Sequence, residues 1–264
     1  MSPPQDAAQW AALPPRVYEL GYTTLLVPDG LQLLSPLPAL ALAAGLAPDL
    51  CVGTFVLASP LRPARLTAWD AHALSVLTGG RFDFGIGAGL PHTAGQAAEL
   101  YGTAAPSPAA RLAQAEQAID ALRELDGDLH TPVLMAAGGP KARQVAAAKA
   151  DIVTLAAGPL ADRAEVAGTA AELRAAAGPR ADGLELAMNI FVVGDQVPAW
   201  MERFLGTDAA TLIARDSLVM LRGTVRDMAD DLQRRRDEFG LSYVIVNGAF
   251  ADALAPVVEL LAGR

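Results

Sequence analysis

Short apolar runs alternate with amphipathic stretches along nearly the whole chain. Seven runs read as strands: Thr23–Pro28, Leu50–Leu57, Arg81–Ile86, Pro132–Ala136, Asp151–Leu155, Leu184–Val193 and Ser242–Val246. They are continuous apolar stretches more than alternating ones, the pattern of strands covered on both faces. The intervening segments read as helices. From Val225 the apolar residues fall at Met228, Leu232 and Phe239, a helical stripe, and Thr224 with Asp227 forms a capping-box-like start. Three times a helical stretch ends on glycine and a strand follows at once, at Gly21, at Gly79-Gly80 and at Gly240. Glycine supplies the left-handed turn out of a helix. Repeated helix–glycine–strand units predict a parallel α/β fold, and a TIM-type barrel and a doubly wound sheet both satisfy the pattern.

Two glycine clusters stand at strand ends. Gly85-Ile86-Gly87-Ala88-Gly89 lets a backbone approach a ligand closely, and its bare N–H groups suit a phosphate. It lacks the third glycine of a dinucleotide fingerprint, because Pro91-His92 follow, and no acid closes a next strand to hold a ribose. An ordinary tight turn explains it as well. Ala136-Ala137-Gly138-Gly139-Pro140 opens a helix, so the N–H groups of Gly138, Gly139 and Lys141 form an anion site, to which Lys141 and Arg143 add charge. Taken singly, this too is compatible with a plain βα loop. Asp29 is the carboxylate best placed at a strand end, and His92 stands at the mouth beside the first cluster; a loop cap is the alternative role for Asp29. His72 reads as a packed or half-exposed helix residue and His130 as a solvated loop residue. The scattered histidines lack metal-ligand spacing, so no metal is expected. Ser35, Ser59 and Ser75 lack the GxSxG elbow.

Composition narrows the choices. At 264 residues, 52% apolar and 19% charged, the chain reads as one globular domain. A net charge of −9 without any cationic run argues against nucleic acid. The apolar stretch near Leu37–Leu50 is broken by Pro38, Gly45 and Pro48, so no membrane span is expected. A lone Cys51 and no visible leader in MSPPQDAAQW point to the reducing cytoplasm.

The order of these motifs resembles the bacterial-luciferase-like family of flavin- and F420-dependent oxidoreductases. Gly21–Asp29 resembles that family's second strand, Val52–Leu57 its third and Thr78–Gly89 its fourth. Val133–Gly139 and Ala150–Val153 resemble the fifth and sixth, and the C-terminal Gly223-Thr-Val, Tyr243–Val246 and Ala255–Ala262 resemble an actinobacterial F420-dependent subgroup. The likeness runs from about Gly21 to the end and favours the barrel over the doubly wound sheet.

The resemblance implies a single TIM-type (β/α) barrel over residues 1–264 with its site at the C-terminal face of the strands. It implies F420, or FMN, as cofactor, hydride transfer to or from an organic substrate, and a homodimer. Phe55-Val56 matches the family's non-prolyl cis peptide under the flavin ring; Ala88-Gly89 and Ala137-Gly138-Gly139 match contacts to the cofactor's ribityl–phosphate arm. Three departures stand out. The family's first strand has no counterpart. Gly30 replaces a histidine and Leu90 a glutamate, leaving Asp29, His92 or solvent to move protons. The insertion that roofs the site shrinks to Asp126–Thr131, which suits a large or carrier-bound substrate. A flavin-dependent monooxygenase and a cofactor-free barrel serving as scaffold or repurposed biosynthetic enzyme are the alternatives.

Overall fold

The computed structural model describes residues 6–263, so the first five residues of the leader-free reading lie outside the described residues. The strands are β1 (Thr24–Val27), β2 (Cys51–Thr54), β3 (Leu57–Ala58), β4 (Phe82–Gly87) and β5 (Val133–Ala137). They continue with β6 (Ile152–Leu155), β7 (Glu185–Ile190), β8 (Val192–Val193), β9 (Met220–Leu221) and β10 (Leu241–Val246). Helices α1 (Ala7–Glu19), α2 (Pro36–Leu46), α3 (Ala64–Leu77), α4 (Pro91–Tyr101), α5 (Pro108–Asp126) and α6 (Pro140–Lys149) alternate with the first strands. The rest are α7 (Arg163–Ala177), α8 (Ala199–Leu205), α9 (Ala209–Ala214), α10 (Val225–Phe239) and α11 (Ala251–Leu261).

All strand pairs are parallel, in the order β1-β2-β4-β5-β6-β7-β10, with β3 continuing the β2 stave along β4. Each expected strand has a counterpart within a residue or two, but two of them divide. The Leu50–Leu57 run breaks at Phe55-Val56, whose peptide bond is cis, as the family resemblance implied. The Leu184–Val193 run breaks at Phe191: β8 leaves the main sheet and pairs with β9, a strand the apolar pattern did not single out. A continuous apolar run reports burial, not the partner, so a change of sheet within it is invisible. Between β8 and β9 lie α8 and α9, also unforeseen as separate helices.

The turns follow the sequence chemistry. Gly21, Gly79, Gly80 and Gly240 have φ of +84°, +64°, +84° and +69°. The α10 box forms as expected, with Asp227 N donating to Thr224 Oγ1 at 3.2 Å and Thr224 N to Asp227 Oδ2 at 2.8 Å.

The sheet curls around a small inner core. Leu134, Ile152 and Ala187 pack there with Leu26, Phe55, Val56, Tyr243 and Ile245, drawn from strands on every side. The larger core lies between the outer faces and the helices, including Phe82, Phe84, Ile86, Val133 and Met135. One charged residue reaches inward near the floor: Tyr243 Oη donates to Asp83 Oδ2 at 2.9 Å. Burial pushes the Asp83 carboxyl up, against the pull of the Tyr243 bond, with Glu185 and Asp151 adding to the rise. An acid raised in the folded state costs that state stability while it is ionised. The cost is full above its folded pKa and vanishes below its unfolded one. Asp83→Asn keeps an oxygen to accept from Tyr243. It is therefore expected to raise the thermal midpoint at pH 8, with the gain shrinking toward zero as pH falls to about 4. Unfolding curves at several pH values test this; an equal gain throughout would assign the effect to packing.

The strand ring does not close. β1 and β10 are the two ends of the sheet, and they do not pair with each other. Among the described residues the sheet has seven staves and no strand precedes β1, in agreement with the sequence reading. Outside the gap, α1 and the α11 end meet: Arg16 pairs with Asp252, and Tyr22 Oη donates to the Ala251 carbonyl at 2.8 Å.

Candidate active site

The C-terminal ends of β1, β2, β4 and β5 are neighbours in the sheet, so Asp29, Phe55-Val56, Ala88-Gly89, His92 and Ala137-Gly138-Gly139 come to one rim. At its centre β2 turns inward. The Thr54 carbonyl is pressed so close to β4 that a Cβ on Gly85 would lie 1.7 Å from its oxygen. Thr54 Oγ1 also donates to the Gly85 carbonyl at 2.6 Å. This seat delivers Phe55 and Val56 into the mouth, where Val56 Cγ2 lies 3.1 Å from the place of a Cβ on Gly87.

The two glycine clusters differ in kind. Gly85 and Gly87 are glycine because the neighbouring stave approaches too closely, and Gly89 has φ +68°. Gly138 and Gly139 have no such reason. Neither has a positive φ, a Cβ on Gly139 would meet nothing within 4 Å, and one on Gly138 would meet only Ala156 Cβ at 3.7 Å. Both are exposed, and Gly139 is the N-cap of the ten-residue α6 with exposed Lys141 in its first turn. Bare N–H groups, a helix N-terminus and a lysine together suit an anionic arm.

Asp29 is buried and paired, not free at the mouth. Its side chain is 2% exposed, and its oxygens accept from Arg62 Nη1 at 2.6 Å, Arg62 Nη2 at 3.0 Å and Ala58 N at 3.0 Å. The carboxylate brackets the segment after β3 against the end of β1, the cap role left open from sequence. His92 is exposed in the first turn of α4 and makes no hydrogen bond or ion pair among the described residues. Leu90, the residue in place of the family's glutamate, is 63% exposed just before it. His72 and His130 lie away from the rim. His72 Nδ1 is 2.8 Å from Asp126 Oδ1, and His130 Nε2 is 3.1 Å from Asp151 Oδ1 at the opposite end of the strands. No group of three or more His, Cys, Asp or Glu among the described residues is arranged to hold a metal ion. No helix among them is long and apolar enough to cross a membrane.

Three residues of the site carry no sequence signal. Arg62 looks like any surface arginine until its partner is seen. Buried Arg111, on α5, donates from Nε to the Ala88 carbonyl at 2.9 Å and from Nη1 to the Pro106 carbonyl at 3.1 Å, fixing the first glycine loop from behind. Thr154 lies two residues beyond Ile152 and so shares its inward face. Its hydroxyl is buried without a partner, and its neighbours on the flanking strands are Ala136 and Ala187. An unpaired buried hydroxyl costs about 1–3 kcal/mol, so it invites a group from outside the chain.

A parallel α/β curl with a glycine-rimmed mouth at its C-terminal face defines the class: a barrel of the TIM type, open between β1 and β10. The sequence model of the family described as luciferase-like monooxygenase matches residues 3–205. The chain belongs to that family, a family of enzymes. Among solved structures it is similar to an F420-dependent secondary alcohol dehydrogenase in complex with an F420–acetone adduct, with a TM-score of 0.73 and 16% identity over 95% of this chain and 93% of that one. It is likewise similar to the coenzyme F420-dependent tetrahydromethanopterin reductase from Methanopyrus kandleri, with a TM-score of 0.70 and 16% identity over 97% and 95% of the two chains. An EDTA monooxygenase from Chelativorans sp. BNC1 gives a TM-score of 0.72 and 14% identity over 94% and 85%. At such identities the likeness establishes the fold alone. No curated protein matched the sequence.

Proposed function

We propose that this chain is an oxidoreductase that binds F420 at the barrel mouth and moves a hydride between it and an organic substrate. The observation that carries the reading is the bare rim at Gly138-Gly139. Glycine is required there by neither backbone conformation nor packing, beside a helix N-terminus and an exposed lysine. The residues present fit the cofactor. Gly138, Gly139 and Lys141 would hold its phosphate arm, Ala88-Gly89 would face it from the neighbouring stave, and Phe55-Val56 would back its ring. The orphaned Thr154 hydroxyl offers a polar contact from within. F420, when bound, supplies the hydride-carrying ring.

The chain's own residues do the rest by position. Phe55, Val56 and Ile245 exclude water from the inner side of the mouth. Arg111 keeps the Ala88 carbonyl turned away from the ligand side. His92, exposed and unpaired at the rim, is the side chain free to exchange a proton with the substrate; Asp29, held by Arg62, is not. The expectation that a shortened Asp126–Thr131 segment opens the roof does not hold: this connection enters the N-terminal end of β5, with His130 beside Asp151, at the end of the sheet opposite the mouth. FMN shares the ring and phosphate chemistry and is the second reading; F420 leads because of the subgroup resemblance at Gly223-Thr-Val, Tyr243–Val246 and Ala255–Ala262.

Titration of the purified chain with F420 and, separately, with FMN tests this by fluorescence quenching. Saturation in the micromolar range by F420 is expected. Lys141→Glu, at an exposed position, is expected to weaken it about tenfold without moving the thermal midpoint. Saturation by FMN alone would move the reading to a flavin enzyme. No binding of either by a folded sample would overturn it in favour of a cofactor-free barrel.

A further inference from the structure

The rim of the mouth divides by chemistry. The half at the ends of β2, β4 and β5 holds the glycine clusters, the α6 N-terminus and Lys141. In the other half the residues that follow β1, β7 and β10 are Pro28, Phe191 and Asn247. They line a cavity with Phe55 and Asn189, and no residue of its wall carries a charge. Asp29, which follows Pro28, is buried against Arg62 and offers no charge there.

Asn189 is the polar group of this half that nothing in the chain uses. Side chains alternate along a strand, so Asn189 shares the inward face of β7 with Ala187 of the inner core. It is the last inward residue of that strand, which places its amide at the mouth, and its register partner on β10 is Ile245. The side-chain amide is half-buried and makes no hydrogen bond among the described residues. The neighbouring Asn247 differs, because its Oδ1 accepts from Ala249 N at 2.9 Å.

From Asn189 an aromatic path runs outward. Phe191 stands two residues on, and Phe204 of α8 packs on it with ring centroids 5.5 Å apart and planes tilted by 52°. Trp200 lies four residues before Phe204 and shares its side of the helix. Met201 and Leu205 anchor α8 to the core, yet Phe204 is 67% exposed and Trp200 44%. Two large aromatics left in water where such a path ends form a surface suited to an apolar ligand.

Resting on the reading of this mouth as the site of the reaction, we propose that the substrate is an uncharged aromatic compound whose carbonyl or hydroxyl oxygen is bound by Asn189. Its aromatic part lies on Phe191, Phe204 and Trp200. A carboxamide donates from Nδ2 to a carbonyl and accepts at Oδ1 from a hydroxyl, so it serves either oxygen. A carboxylate or phosphate in the same place would lose its water against walls that hold no cation. This half of the rim therefore selects against acids and phosphate esters.

The test uses the whole chain without cofactor and three probes of one shape: 2-acetylnaphthalene, 2-isopropenylnaphthalene and 2-naphthoate. Binding is followed by NMR of the side-chain amide signals, with the Asn189 pair assigned by its loss in Asn189→Leu. Saturable binding of the ketone is expected, with a shift of the Asn189 pair. The hydrocarbon is expected to bind about fivefold more weakly without that shift, and the naphthoate more weakly by about tenfold or more. Asn189→Leu is expected to bring the ketone down to the hydrocarbon's affinity. Phe204→Ala, at an exposed position, is expected to weaken ketone and hydrocarbon alike, about fivefold, with the thermal midpoint unmoved. A ketone that binds no better than the hydrocarbon, a naphthoate that binds as tightly with the same Asn189 shift, or no binding of any probe to the folded chain would each overturn the proposal. F420 binding is scored separately by the cofactor's own fluorescence. Ketone binding without F420 binding would keep this site and overturn the cofactor reading alone; F420 binding without a ketone response would overturn this proposal alone.

Discussion

Replacing Gly85 by alanine is expected to cost the native state more than about 3 kcal/mol, at or beyond the upper end of overpacking penalties. The added carbon would lie 1.7 Å from the Thr54 carbonyl oxygen, and the next nearest atom is the Thr54 carbonyl carbon at 2.7 Å, so it meets backbone and not a flexible side-chain end. Relief requires moving β2 away from β4, which also breaks the Thr54 Oγ1 bond to the Gly85 carbonyl and withdraws Phe55 and Val56 from the mouth. Urea unfolding of the variant is the measurement, with Gly87→Ala beside it. At Gly87 the nearest atom is a side-chain methyl at 3.1 Å, so a loss of about 1 kcal/mol is expected. Equal losses at the two positions would show that the close approach of β2 is not what Gly85 accommodates.

The second large effect concerns Arg62. Its removal leaves Asp29 buried with Ala58 N as its one remaining partner, and stranding one member of a buried pair costs about 3–5 kcal/mol. Arg62 is itself 21% exposed, so water softens the loss and the lower figure is the expectation for Arg62→Ala. Arg62→Lys keeps the charge but not the two-pronged contact, and an intermediate loss is expected. Because the bracket ties the β3 segment to the β1 rim, cofactor affinity is expected to fall along with the thermal midpoint. Asp29→Asn separates the two roles open to this carboxylate. As a bracket, it loses stability and affinity together. As a proton donor, it would lose turnover alone, which would restore the first expectation for Asp29.

Much of the fold was legible because its signals are local. Each strand had to be apolar throughout, each helix exit needed glycine at Gly21, Gly80 or Gly240, and Thr224 with Asp227 announced α10. The open stave was legible too, as an absence of any strand-like run before Gly21. The glycine-rich rim was found for the same reason, since glycine at a strand end is visible in one residue's identity.

What escaped depends on pairs of residues far apart in the chain. Whether Asp29 is a free acid or a bracket is decided by Arg62, and whether Ala88 is held is decided by Arg111. Only the packed structure separates Gly85, made glycine by a carbonyl 31 residues away, from Gly139, made glycine by nothing inside the chain. The same holds for the gap between β1 and β10: local pattern lacks a strand there, but which backbone groups border the gap follows from the direction of the ladders on β2 and β7. Propensity and patterning act within a turn or a strand and are written in sequence. Hydrogen-bond partners, burial of charge and steric contact arise when the curled sheet brings distant segments together, and they belong to the tertiary structure.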